Sequence, residues 1–294
     1  MHALTVEAAA KINWTLDITG TDERGYHLLD TVMQRITLFD TVRLKKTDAG
    51  IEVFCSDPTI PVNQKNTAYR AAELFLKETG AAAGCVIDIE KRIPCGAGMG
   101  GGSADAAAVL LGLNHLFGGL LQEEQIEKLA LRVGADVPFM LKGGAARVQG
   151  IGEKRIPLQE IPEKTLLCVM RRELPASTAL VYQKYDVLGS DQRPENENFV
   201  HALVSGNTEE FSRFGGNVLQ PAAQALTGAV NDLIQRMKKT GAKFSAMTGS
   251  GSAVFGVFET PAAARTAEKE FDGMWHCVCS TTNEKTVIKQ EGKE

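Results

Sequence analysis

Residues 94–108 read PCGAGMGGGSADAAA, and five of the seven positions from Gly96 to Gly102 are glycine. Without Cβ atoms, backbone N–H groups in such a run can turn inward and surround a large anion. The run follows a strand-like segment over 85–93, where Ile87 and Ile89 alternate with Asp88 and Glu90. It opens an alanine-rich segment whose spacing predicts a helix over 103–117, and the free amides and positive end of a helix favour phosphate. Strand, glycine loop and helix together predict a phosphate cradle.

Known glycine loops fit this stretch unequally. A Walker A loop requires Gly-Lys-Ser/Thr, whereas Gly102 is followed by Ser103 and Ala104, so that reading fails. Gly96, Gly98 and Gly101 satisfy GxGxxG formally, which keeps a nicotinamide-dependent oxidoreductase as an alternative, although the loop lies mid-domain after a strand that begins near Cys85. A flexible linker conflicts with Pro94 on one side and a well-formed helix on the other.

Outward from the loop, Ile12, Trp14, Leu16 and Ile18 alternate with Lys11, Asn13, Thr15, Asp17 and Thr19. That period predicts a half-buried strand over 11–19 with Lys11 and Asn13 on one face. Further strands are expected at 31–45 and 51–55, and helices at 66–78 and 123–133. A segment rich in Lys, Pro and Glu, 153–164, precedes a second pattern: strand 165–170, helices between 177 and 237, strands 243–248 and 252–258, helix 261–271 and strand 275–281. The class is α+β in two domains, 1–160 and 161–294, the second similar to a split βαβ sandwich. The polar tail beyond Glu284 is expected to fray.

Composition narrows the function. The chain has 294 residues, 44% of them hydrophobic and 23% charged, the balance of a globular protein with a sizeable core. A net charge of −4 provides no footprint for nucleic acid or for an anionic membrane. The six cysteines form no CxxC pair, so reduced thiols are expected rather than a zinc site or a disulfide framework. No run is long and apolar enough to span a bilayer, and the N-terminus has no signal-peptide pattern, so a cytoplasmic location is expected. The absence of GxSxG and HExxH removes the corresponding hydrolase and zincin readings.

The PxGxGxGGGSxxAA run resembles the ATP-binding loop of the GHMP kinase superfamily, and two other stretches agree. MTGSGSAVFG, 247–256, is similar to the superfamily's C-terminal glycine motif. AAAKINWTLDITGTDERGYHLLDTVMQ, 8–34, resembles the N-terminus of the branch whose acceptor is a cytidine diphosphate derivative of methylerythritol. The resemblance implies an N-terminal ribosomal-protein-S5-like domain, a C-terminal ferredoxin-like domain and an active site in the cleft between them. It implies a kinase that uses ATP and Mg²⁺ on the 2-hydroxyl of that acceptor, in non-mevalonate isoprenoid biosynthesis, as a monomer or weak homodimer. Another small-molecule GHMP kinase, of homoserine or mevalonate type, and a silent nucleotide-binding protein on the same scaffold are the alternatives.

By the same resemblance, Asp136 in GADVPF is the general base, and Lys11 of AKIN stands beside it and the acceptor. Asn13, Tyr26, His27 and Tyr182 hold the acceptor, the two tyrosines stacking on the cytosine. Pro94, Gly96, Gly98, Gly100, Gly101, Gly102 and Ser103 bind the nucleotide, with Asn66, Lys91 and the Gly249, Ser250, Gly251 turn contributing. Many superfamily members carry two serines after the position of Gly100, where this chain has Gly101 and Gly102, so the protein ligand of the metal stays unassigned. From residue chemistry alone, Lys11 and Asn13 read as solvated strand positions, and Asp136 as an ordinary capping or solvated turn residue between Gly134 and Pro138; the resemblance reverses that.

Overall fold

Two long antiparallel strands, β1 (Ala3–Thr21) and β2 (His27–Thr47), form the spine of the molecule. The computed structural model describes residues 3–159, 161–284 and 286–290. From the spine the chain forms β3 (Ile51–Cys55), α1 (Thr67–Thr79) and β4 (Gly84–Glu90), with β3 and β4 parallel across the intervening helix. There follow α2 (Gly101–Leu116), α3 (Glu123–Val133), α4 (Val137–Lys142), β5 (Ala145–Gly150) and β6 (Lys154–Leu158). The second half contributes β7 (Thr165–Met170), α5 (Thr178–Leu188), α6 (Asn196–Ser205), α7 (Phe211–Phe214), β8 (Gly216–Asn217), α8 (Gln220–Thr227) and α9 (Val230–Lys239). It ends in β9 (Phe244–Met247), β10 (Val254–Phe258), α10 (Pro261–Glu268), β11 (Trp275–Thr282) and β12 (Val287–Gln290).

The strands join into one mixed system ordered β12-β1-β2-β11-β7-β10-β9, with β4 and β5 also paired to β2. The architecture is α+β, as expected. Two apolar clusters fill it, one under α1–α4 and one among α8–α10 and strands β7, β9 and β10. Helix α2 is buried along nearly its whole length, and its alanines and Gly112 let it lie close on the spine; a Cβ at Gly112 would strike Leu44 Cδ1. All six cysteines are free thiols.

The expected elements are present, most within a few residues of the expected bounds, but four differences have physical causes. First, β1 is not half-buried: it is covered on both faces from Ala8 to Ile18, because the glycine loop and the second half of the chain close over its polar side. Second, the 153–164 segment contains β6, which pairs with β5; neither strand is evident from alternation, since small and charged residues occupy both. Third, the tail beyond Glu284 does not simply fray, because β12 pairs antiparallel with β1 from Leu4↔Gln290 to Glu7↔Val287. Fourth, the helix expected over 261–271 ends at Glu268 and continues as a 3₁₀ turn over Lys269–Phe271. The boundary expected near residue 160 falls outside the described residues.

Trp14 couples β1 to the second half of the chain. Its fully buried ring lies 5.4 Å from that of Phe255 and 5.5 Å from that of Phe211, both edge-on, and its Nε1 donates to Gln34 Oε1 at 2.8 Å. Trp14→Ala is therefore expected to cost about 3–5 kcal/mol, from the cavity and the acceptor left without its donor. Urea denaturation checks this, and a loss below about 1 kcal/mol would show that the aromatic cluster does not hold the halves together.

Candidate active site

The glycine loop takes the conformation its composition anticipates. Gly96, Gly98 and Gly100 have φ of 66°, 73° and 72°, in the left-handed region that L side chains rarely adopt. Gly100 occupies the N-cap of α2, and no side chain caps that end, so the first-turn amides stay available to a ligand. Space is as restrictive as dihedral angle. A Cβ at Gly98 would overlap Thr248 O, and one at Gly100 would overlap Met140 Cε.

The second glycine motif is fastened to the first. Ser252 N donates to Gly96 O at 3.1 Å and Ala253 N to Ala97 O at 3.2 Å. Gly249, with φ of 55°, sits so near that a Cβ would lie 2.5 Å from Gly98 O. Gly249, Ser250 and Gly251 thus close the β9–β10 connection directly over the loop, and Ser250 Oγ lies 2.9 Å from Thr178 Oγ1 at the start of α5.

Lys11 ties these pieces to the spine. Its side chain is 3% exposed; Nζ donates to Asn13 Oδ1 and, at 2.9 Å, to Gly98 O, and stands 3.5 Å from Asp136 Oδ2. Lys11 and Asn13 therefore share a face, as expected. Asn13 is held in turn: its N–H donates to Thr248 Oγ1 at 2.9 Å and its Nδ2 to Thr31 Oγ1 at 2.8 Å. Asp136 occupies the N-cap position of α4 without making a side-chain cap, and Pro138 fixes the first turn behind it. Its carboxylate is thus uncommitted locally and 29% exposed to the cleft, which a solvated or capping residue need not be.

A cavity of about 510 Å³ runs from Asn66 and Thr67, along the glycine loop, past Lys11 and Asp136, to Tyr182. Tyr182 lines it, and further rings stand beyond the lining residues. The His27 ring lies 4.9 Å from that of Tyr182 and 6.4 Å from that of Tyr185, and His27 Nε2 lies 2.6 Å from Asp186 Oδ1. Burial pushes the Tyr182 hydroxyl well above its ordinary range, and the nearby Asp136 carboxylate adds to this. Tyr26, by contrast, is 61% exposed on the turn before β2, with the Arg24 guanidinium over its ring at 5.2 Å. The structure thus brings His27 and Tyr182 together and leaves Tyr26 at the rim.

Asn66 lines the cavity, but as the N-cap of α1: its Oδ1 accepts from Ala68 N and its Nδ2 donates to Pro61 O, both at 2.8 Å. Lys91 also reaches the cavity wall, with its ammonium engaged by Asp40 and Asp105. Several residues that hold the site were missed by sequence reading. Thr67 donates its hydroxyl to Gly102 O at 2.7 Å, Thr248 braces Asn13, and Asp40 accepts from the amides of Arg92 and Ile93. Only Thr248, inside MTGSGS, stands in a motif; Thr67 and Asp40 carried no signal. Among the described residues, no group of three or more His, Cys, Asp or Glu side chains is placed to hold a metal ion alone.

Known proteins match this chain in sequence and in fold. The models for the GHMP kinase N-terminal and C-terminal domains match residues 66–144 and 199–277. A 4-diphosphocytidyl-2-C-methyl-D-erythritol kinase from Acetivibrio thermocellus is 38% identical over 288 residues, 96% of this chain and all of that one. The chain belongs to the 4-diphosphocytidyl-2-C-methyl-D-erythritol kinase family. A second member, from Caldicellulosiruptor bescii, is 40% identical over 256 residues, 87% of this chain and 89% of its own. A crystal structure of a kinase of this family superposes with a TM-score of 0.79 at 33% identity, over 95% of this chain and all of that one. Homoserine kinase from Cytophaga hutchinsonii shares the fold at a TM-score of 0.71 and 19% identity, covering 98% of each chain. In this kinase family fold, the two glycine motifs meet with no room for a Cβ. Gly98→Ala is therefore expected to cost at least about 2 kcal/mol from the left-handed φ and the clash with Thr248, measured as a lowered urea midpoint. An unchanged midpoint would show that the two motifs separate freely.

Proposed function

We propose that this chain transfers the γ-phosphoryl group of ATP to the 2-hydroxyl of 4-diphosphocytidyl-2-C-methyl-D-erythritol. The observation that carries the chemistry is the contact of Lys11 with both Gly98 O and Asp136, which joins a phosphate cradle to a carboxylate at one end of the cavity. The family relationship, and His27 packed on the cavity-lining Tyr182, support a cytidine-bearing acceptor. The halves 1–160 and 161–294 would form the two walls, and the enzyme would work in the cytoplasm as a monomer or weak homodimer. The described residues include no helix long and apolar enough to cross a membrane.

Asp136 accepts the proton of the attacking hydroxyl as its oxygen bonds to phosphorus and the bond to the ADP oxygen breaks. Lys11 offsets charge between the carboxylate and the transferring group, and the amides of the loop and of the first turn of α2 hold the phosphates. Asn13 orients the acceptor, Tyr182 and Tyr26 flank its base, and His27 reads the polar edge. Asn66 and the Gly249–Gly251 turn complete the nucleotide side, with Lys91 on the cavity wall beside the loop. Bound Mg²⁺ would supply charge neutralisation on the phosphates, and Ser103, a hydroxyl donor in the first turn of α2 on the cavity wall, would hold it beside the nucleotide.

ADP release should occur with the cytidine diphosphate acceptor and not with homoserine, mevalonate or galactose. Release with another of these instead would move the chain to a different acceptor class. Asp136→Asn is expected to lower kcat by about 10²–10⁴-fold while ATP still binds within about threefold of wild type; near-normal turnover in that variant would remove Asp136 as the base.

A further inference from the structure

Behind the glycine loop lies a cluster of charges that phosphoryl transfer does not use. Lys91 Nζ donates to Asp40 Oδ2 and, at 2.7 Å, to Asp105 Oδ2, and the three side chains are 5%, 0% and 6% exposed. The other oxygen of Asp40 accepts from the amides of Arg92 at 2.6 Å and Ile93 at 2.9 Å, the two residues before Pro94. Asp105 lies in the second turn of α2. The cluster therefore ties the spine strand β2, the lead-in to the loop and the helix that follows it.

Its position matters more than its contribution to stability. Burying three ions is costly, and apolar side chains of similar volume generally stabilise at least as well. Here the ammonium lies hard against the cradle: a Cβ at Gly101 would stand 3.2 Å from Lys91 Nζ. Two carboxylates share one ammonium, so the cluster is formally −1 beside a loop that receives a polyanion, and without Lys91 it has no cation of its own. Asp105 Oδ1 is buried with no hydrogen-bond partner, and burial pushes this carboxyl up, against the attraction of Lys91. Asp40 has two amide donors besides the ammonium, whereas Asp105 depends on Lys91.

We propose that Lys91 is a positioning residue rather than a nucleotide ligand: by neutralising Asp40 and Asp105 it holds the glycine loop and the first turn of α2 in register for the phosphates. This rests on the reading of the loop as an ATP site, and refines how that site is built.

Equilibrium titration of Mg²⁺-ATP by calorimetry, without acceptor, separates positioning from ligation. Lys91→Met should weaken ATP at least tenfold, because two buried carboxylates are left facing the loop. Adding Asp105→Asn to that variant should recover at least threefold of the loss, since one of those charges is gone, while the acceptor KM stays within twofold throughout. A double variant no better than Lys91→Met would make Lys91 a direct phosphate ligand and overturn the proposal, as would a Lys91→Met protein that binds ATP within threefold of wild type. If Lys91→Met does not fold, Asp105→Asn alone decides. It keeps the Lys91–Asp40 pair and should bind ATP as tightly as wild type or more so, whereas weakening beyond threefold would overturn the proposal. Wild-type protein that fails to bind ATP would strike at the ATP-site reading itself and not at the cluster.

Discussion

The backbone of Gly98 lies against that of Thr248 and Gly249 with no space for a side chain, and the rest of the site is referenced to that contact. Two segments 156 residues apart in sequence are held there by main-chain hydrogen bonds from Ser252 and Ala253 to Gly96 and Ala97. Lys11 adds the third point, because its ammonium bonds the Gly98 carbonyl while its backbone belongs to the spine strand. Moving any of the three would separate the cradle from Asp136. Catalysis by positioning depends on such fixed references, since misplacement by an ångström is expensive in rate.

Charge around the cavity is arranged in the same economical way. Lys11 faces Asp136, and Lys91 faces two carboxylates, so neither lysine stands as an unopposed cation at the cradle. The chain as a whole is −4. Under the proposed function, affinity for a polyanion would come largely from oriented amides: the loop N–H groups and the uncapped first turn of a sixteen-residue helix. Glycine is the residue that permits this, by allowing left-handed backbone and by clearing the space into which the amides point.

Much of this was legible in the sequence because it is local. The alternation at 11–19 placed Lys11 and Asn13 on one face, and the Pro-Cys-Gly run between a strand and an alanine-rich helix marked the cradle. The likeness to the GHMP kinases drew attention to Asp136 and to the 249–251 turn, which residue chemistry alone would have left as a capping carboxylate and a hairpin. Strand β12 was not legible: its residues are polar and few, and it is a strand only because the exposed edge of β1 offers it a partner. The roles of Asp40 and Thr67 were equally hidden, since each acts on backbone groups more than thirty residues away and belongs to no pattern.

By itself the sequence determined the α+β class and the strand–glycine loop–helix unit, because glycine content, strand period and helix spacing express local backbone preferences, while the kinase family was legible only through the resemblance of its three motifs. The tertiary structure alone decided which polar groups face one another. It set Lys11 between Gly98 and Asp136, paired His27 with Tyr182 while leaving Tyr26 at the rim, and buried Lys91 between two carboxylates. The reason is physical: a charged side chain takes its meaning from its neighbours' charge and from the water around it, and chain folding, not spacing along the chain, chooses both.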